Sequence, residues 1–433
     1  MMTKGAKPKA VTKPEIIAKP KIIAKPKIIV VGDGLVATGF SRVVHSILGP
    51  LCERYEFHHF AINYGNQEHS HPWTMYPAGV DGDYLGREKL PQLIDDIEPE
   101  LLFFVNDVWI VGSYLDALQD ETKSYKTLAY CPVDAAPLEP HLVRGVNRLD
   151  AMVVYTEFGR CTMREAFARL EDPAAQDMPM HIIPHGVDTG AFYPIPEEDG
   201  MPGRVLARRR LFRNEALDDA FIVLNGNRNQ PRKRVDITLR GFADFAADKP
   251  DNVKLYLHMG VQDCGWNVIS LARRYGIEDR LILTSDTHYL YAVPDDVLNC
   301  IYNACDVGLN TSIGEGWGLV SFEHAATGAA QVVPHHSACQ ELWAGSAALL
   351  EPAVTFTSEH FLTEGHMVAP AEVARALDQL YQNPAELDSL SARSRRTATR
   401  PDYQWDNIAA RWDSIFEDML DQRETVLCTG PQR

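Results

Sequence analysis

Several familiar signatures are missing from this chain of 433 residues, and each absence narrows what it can be. No apolar run approaches the ~18 residues that a membrane-spanning helix needs. The amino terminus lacks the apolar core and cleavage pattern of a secretory signal. The eight cysteines include no Cys-x-x-Cys pair, and Cys131, Cys300 and Cys305 fall in or near apolar stretches, where reduced thiols of cytoplasmic proteins are common. Excess positive charge is missing as well. Lys and Arg number 42 against 59 Asp and Glu, a net −17, and eight of the lysines crowd with one Glu into the first 27 residues. The body is therefore more acidic than the whole, and bulk charge does not draw it to nucleic acid.

What is present is an ordinary soluble composition, 45% hydrophobic, and enough length for two α/β domains with separate cores. Residues 1–26 form a basic leader of Lys-Pro repeats, in which proline every sixth residue blocks a helix. It reads as a solvated tail, with a tether for a partner or a peripheral membrane contact as the alternative. From Lys27 the pattern becomes strand, loop, helix. Ile28-Ile-Val-Val-Gly32 runs into a loop through Gly34 and Gly39, then a helix with Val43, Val44, Ile47 and Leu48 on one face. The loop has Gly-x-Gly without the rest of the dinucleotide fingerprint, so it fits a sugar or phosphate contact at Gly39 better than a dinucleotide. Further apolar strands at Glu56–Ile62, Leu101–Val105, Thr127–Cys131 and Ala151–Tyr155 alternate with helices such as 157–170. This spacing implies a parallel sheet covered on both faces.

The first series occupies 27–192, a Pro-, Gly- and acid-rich linker 193–203, and a second series 204–402. A final helix at 403–422 packs back on the first domain. Asp134 follows a strand end, where open α/β sheets bind ligands, although Asp beside Pro also makes simple turns. Asp81-Gly-Asp83 spells a metal motif inside a glycine turn and reads as turn chemistry. His69-Ser-His71 and His335-His336 lack further ligands at metal spacing. In the second series Arg228, Arg232, Lys233 and Arg234 follow the strand Phe221–Asn225 and precede a helix from Val235. Four cations at a strand end suit phosphate oxygens. Asp295 reads as a helix N-cap.

The stretch that organises the rest is Asn310-Thr-Ser-Ile-Gly-Glu-Gly-Trp-Gly-Leu-Val-Ser-Phe-Glu323. A buried strand enters it, glycines let the backbone approach a ligand, and a helix start leaves amides free for an anion. Glu315 and Glu323 offer acceptors to two parts of a polyhydroxylated ligand. By itself the pattern also fits an ordinary βα connection. Its Glu-x7-Glu spacing, Ser312 and the Glu-Gly-x-Gly-Leu core resemble the signature of family 4 retaining glycosyltransferases. Pro184-His-Gly-Val-Asp-Thr-Gly-Ala-Phe192 is similar to that family's connection between domains.

The resemblance implies the GT-B fold, two Rossmann-like domains facing a central cleft, and transfer of a hexose from a nucleotide diphosphate sugar to an acceptor hydroxyl with retention; the alternatives are a catalytically inactive nucleotide-sugar or carbohydrate-binding protein and a dinucleotide-dependent sugar oxidoreductase or epimerase. It implies Arg228 and Lys233 on the diphosphate, Glu323 on the ribose, Glu315 on the sugar, and backbone amides of Gly316, Trp317, Gly318 and Leu319 facing the donor. Asp134 stands near the family's cleft histidine. No metal and no cofactor beyond the donor is implied, and the acceptor is a glycan, a lipid-linked sugar or a small molecule. Arg234 replaces a usual glycine and His324 a small or apolar residue, so local geometry is expected to differ at both.

Overall fold

The computed structural model describes residues 24–36, 38–79, 82–118, 123–289 and 292–428, with side chains as far as Asp421. The Lys-Pro leader and Asp81 lie outside these residues, apart from positions 24–26, of which Ala24 and Lys25 are exposed.

Seven strands form the first sheet: β1 (Lys27–Asp33), β2 (Glu56–Ile62), β3 (Thr74–Pro77), β4 (Leu101–Val105), β5 (Lys126–Cys131), β6 (Ala151–Val154) and β7 (Met180–Ile182). Their order is β3-β2-β1-β4-β5-β6-β7, and every pairing is parallel. Strands such as Leu101-Leu-Phe-Phe-Val105 are buried at every position, because helices cover both faces of a parallel sheet. That is why they read as unbroken apolar runs. The second sheet contains β8 (Phe221–Asn225), β9 (Val253–Leu257), β10 (Leu281–Leu283), β11 (Val307–Leu309), β12 (Ala330–Pro334) and β13 (Ala348–Leu350). Its order is β10-β9-β8-β11-β12-β13, again parallel throughout. Each sheet reverses its strand order beside a central strand, and the loops at such a point open a crevice.

The chain crosses from one sheet to the other between Ile182 and Phe221. The crossing is tied down rather than loose: Tyr193 and Ile195 donate backbone N–H groups to the side-chain oxygens of Asn299 (3.1 Å) and Asn303 (2.8 Å). The last helix, Trp405–Cys428, returns to the first sheet. Trp412 is fully buried, with ring centroids 4.9 Å from Phe103 and 4.8 Å from Tyr130. The Tyr55 hydroxyl donates to Asp413 Oδ1 at 2.8 Å. One apolar cluster therefore runs from Ile28 through Ile222 and Phe322 to Phe416, joining both sheets to the final helix.

Two local expectations change. Asp295 is the first residue of the helix Asp295–Ala304, with Pro294 as its cap, because the Asp295 carboxylate is drawn to Arg42 instead (2.7 Å). The sequence pattern also gave no hint of an antiparallel hairpin, β14 (Pro352–Thr357) with β15 (Glu364–Val368). This hairpin reaches from the second sheet to the first. Glu364 N–H donates to Ala136 O at 3.0 Å, and Phe361 at its tip lies 5.0 Å from the Trp109 ring.

Candidate active site

The carboxyl ends of both sheets face one another, and the second-sheet side is built from β8 and β11. After β8, Arg228 extends with half its side chain exposed and grips Asp263 through two bonds of 2.6 and 3.1 Å. Lys233 is buried and donates its ammonium to Glu315 Oε2. Asn310 supports the same oxygen at 3.2 Å, and Arg232 lies 3.9 Å from the other. Burial pushes the Glu315 carboxyl up, but the Lys233 and Arg232 cations and these hydrogen bonds outweigh it and hold the group below the usual carboxylate range. A buried ion pair of this kind is costly unless its remaining valences are filled. Here they are.

Arg234 explains its own departure from glycine. It occupies the left-handed region at φ 48°, where a side chain costs roughly 1–2 kcal/mol, and its fork closes on Asp236 at 2.9 and 2.6 Å. His324 is accommodated in a similar way. Its ring is fully buried, burial lowers it to about 3, and it meets Gln331 at 3.3 Å. The room comes from Gly308, where a Cβ would sit 2.7 Å from the imidazole and 2.3 Å from Gln331 Oε1.

Gly318, at φ 89°, caps the helix Leu319–Ala326, whose second turn presents Glu323. That carboxylate is 5% exposed. It accepts from the Tyr302 hydroxyl at 3.0 Å and faces Arg42 at 3.4 Å. Burial raises it, with Arg42 and Tyr302 pulling the other way. Trp317 turns its ring inward, stacked on Phe322 at 4.7 Å and edge-on to Tyr403, so only its backbone belongs to the loop's open side.

The first-sheet side carries carboxylates. Asp33 ends β1 and accepts from Thr38 (2.6 Å) and Asn63 (3.3 Å), which shapes the loop before Gly39. Asp134 follows β5 and lies 3.6 Å from Arg232 across the cleft. Sequence reasoning missed Asp107, because Asn106-Asp107 before a helix reads as routine capping. Its carboxyl makes no hydrogen bond among the described residues, and it is pushed up to about 7, first by burial and then by Asp134, against the pull of Arg232.

The two lips touch. A Cβ on Gly39 would come 3.3 Å from Leu319, and one on Gly314 would come 2.4 Å from Asp134 O. Gly314 is thus required where domain meets domain, while a side chain at Gly39 would press on the end of Leu319. Of the expected residues, Glu315, Lys233, Gly316 and Asp134 come together at one end of the contact, while Gly39, Leu319 and Glu323 gather with Arg42 at the other. Arg228 reaches toward Asp33 from the side; burial raises that carboxyl, and the Thr38 and Asn63 hydrogen bonds and then the Arg228 charge pull against it. Asp83 bonds Glu88 N–H and Arg87 (both 3.3 Å) as turn chemistry requires. His69 and His71 are joined by His45 and His59 in a cluster of rings in which His71 stacks on Trp73. Among the described residues no group of three or more His, Cys, Asp or Glu is arranged to hold a metal ion, and no helix is long and apolar enough to cross a membrane.

Comparison with known proteins agrees with this architecture. A family model described as "Glycosyl transferase-like" matches residues 262–414. The chain is 28% identical over 276 residues to a D-inositol 3-phosphate glycosyltransferase of Thermobispora bispora, covering 62% of this chain and 57% of that protein. The Salinispora tropica counterpart is 27% identical, covering 60% and 49%. The match thus spans about half the length of these curated relatives. Among solved structures, sucrose-phosphate synthase from Thermosynechococcus elongatus superposes with a TM-score of 0.69 at 16% identity, covering 92% of this chain and all of that one. Anabaena HepE in complex with UDP and glucose gives 0.65 at 15%, covering 91% and 100%. The chain has the GT-B fold, two Rossmann-like domains about a cleft, and is related to glycosyltransferases that use sugar nucleotides.

Proposed function

We propose that this protein transfers a hexose from a nucleotide diphosphate sugar to an acceptor hydroxyl with retention of anomeric configuration. The observation that carries the reading is the convergence of Arg228, Arg232, Lys233, Glu315 and Glu323 on one cleft at the strand ends of the second domain. On this reading Arg228 and Lys233 take the diphosphate, Glu323 the ribose hydroxyls and Glu315 the sugar hydroxyls, and the amides of Gly316–Leu319 face the donor beside Gly39. Breaking the glycosyl–phosphate bond leaves positive charge on the sugar and negative charge on the diphosphate. Fixed cations stabilise the second, and the carboxylate of Glu315 lies near the first.

Lys233 carries two duties in turn. It neutralises Glu315 before the donor arrives and shares its charge with the diphosphate afterwards. Asp107 and Asp134 receive the acceptor on the first-domain wall, and a carboxyl near 7 is well placed to accept a hydroxyl proton at neutral pH. We place the work in the cytoplasm. The acceptor, whether glycan, lipid-linked sugar or small molecule, reaches the cleft from solvent or from a membrane surface. The test is a panel of nucleotide diphosphate sugars scored for release of the nucleotide diphosphate, with and without EDTA. One donor should stand out, and chelator should leave its initial rate nearly intact. Chelator arrest reversed by Mn²⁺ would remove the cations from the role assigned here, and no turnover with any donor would remove the activity.

A further inference from the structure

Arg42 stands in the first turns of the first-domain helix Gly39–Leu51, yet its polar partners belong to the other domain. Nη2 donates to Asp295 Oδ1 at 2.7 Å and Nε lies 3.4 Å from Glu323 Oε1. The guanidinium carbon sits 5.3 Å from the centre of the Phe192 ring, just before the chain crosses between domains. These contacts hold a two-thirds-covered side chain across the cleft.

The consequence falls on Glu323. The groups that weigh most on its charge are Arg42, Tyr302 and Asp295 of the helix Asp295–Ala304, and Asp188 before the crossing. Arg42 is the one cation in that set, and it comes from the opposite domain. The residue after Glu323, His324, turns away to Gln331 and stays neutral. A buried carboxylate with no counter-charge takes up a proton, and the neutral acid can no longer accept two hydroxyl hydrogen bonds as well as a carboxylate does.

We propose that Arg42 is a positioning residue of the nucleotide site: reaching from the first domain, it keeps Glu323 ionised and aimed, so that the second domain's ribose carboxylate functions when the cleft is closed. This rests on the reading of Glu323 as the ribose ligand. Nucleotide affinity and domain closure are then two faces of one equilibrium. The nucleoside diphosphate favours the closed form because only the closed form brings the cation.

The test is calorimetry on the full chain with UDP, GDP and ADP in turn, across pH 5 to 8.5. For the diphosphate that wild type binds, Arg42→Ala should weaken affinity about tenfold or more at pH 7.5, the loss expected for one charge-assisted contact. It should also move the acid limb of binding to higher pH, because Glu323 then protonates sooner. Arg42→Lys should recover part of both. In a Glu323→Gln background, removing Arg42 should cost less than about twofold, since two residues acting through one interaction are not additive. Unchanged affinity and an unchanged acid limb in Arg42→Ala would overturn the proposal, as would a full additional loss in the Glu323→Gln background. If Arg42→Ala does not fold, Arg42→Lys decides by its acid limb. A wild type that binds none of the diphosphates is a separate result, removing the nucleotide reading and this inference with it.

Discussion

The two walls of the cleft differ in how they treat charge. The second-domain wall gathers Arg228, Arg232 and Lys233 and cancels part of that charge internally, through Glu315 and Asp263. The first-domain wall presents Asp33, Asp107 and Asp134, and the Asp107 carboxyl makes no hydrogen bond among the described residues. One wall is thus built to exchange one anion for another, while the other keeps negative charge that is only partly relieved. A diphosphate fits the first arrangement, and a hydroxyl that must lose a proton fits the second. The proposed division of donor and acceptor between opposite domains rests on this difference.

Removing the internal neutralisation should do the most damage. Lys233→Ala leaves the Glu315 carboxylate buried and unpaired, and breaking such a pair costs about 3–5 kcal/mol. The expected outcome is a large drop in the denaturation midpoint together with loss of turnover by three orders of magnitude or more, ~4 kcal/mol of transition-state stabilisation. If Lys233→Ala is stable and active, the second wall is not organised around that pair.

A smaller effect is expected on the first wall. Asp107→Asn should lower turnover by about 10²-fold, within the range of a lost general base, while leaving nucleotide diphosphate affinity as it was. The pH profile carries the sign. A carboxyl held near 7 is ionised above that value and protonated below it, so wild-type turnover should fall as pH drops through about 7, and the variant should lack that limb. Loss of nucleotide affinity in the variant would contradict the division between walls.

Most of the fold was legible in the sequence, and the reasons are visible in particular elements. β1, β4 and β5 are buried on both faces, so their apolar runs stand out without a partner in view. The Glu315 loop was legible because strand, glycines and helix are contiguous. The hairpin β14–β15 was not, since β14 is mostly exposed and what gives it meaning is contact with Ala136 and Trp109 far away in the chain. Arg42 escaped notice for the same reason. It lies in an ordinary amphipathic helix and acquires its role from Asp295 and Glu323. His69 and His71 were visible as a pair, whereas His45 and His59 join them only when helix and strand pack. Sequence adjacency reveals sites made by one loop and conceals those made by two domains.

The histidines supply the smallest expected difference. Burial holds His45 at about 4 and His59 at about 3, against 6.5 when free. The unfolded chain therefore binds protons that the folded one refuses, so stability present above pH 6.5 is lost as pH falls toward 4. The slope is about 1.4 kcal/mol per pH unit for each such group. Denaturant titrations of His59→Asn between pH 7 and 5 should show a slope shallower by about one proton. An unchanged slope would mean that the first-domain histidines are not the buried neutral group described.

The assignment of the donor to the second wall is tested most directly by separating its two carboxylates. Calorimetry with the nucleotide diphosphate alone, followed by kinetics with the complete donor, should be run on Glu315→Gln and Glu323→Gln side by side. Glu323→Gln should weaken both nucleotide and donor about tenfold, the worth of a charge-assisted hydrogen bond at roughly 1.5–3 kcal/mol. Glu315→Gln should bind the nucleotide diphosphate no more weakly than wild type, and more tightly if the freed Lys233 turns to phosphate, yet turn over the donor much more slowly. Equal loss of nucleotide affinity in both variants would contradict the account, because it would put Glu315 and Glu323 on the same part of the ligand.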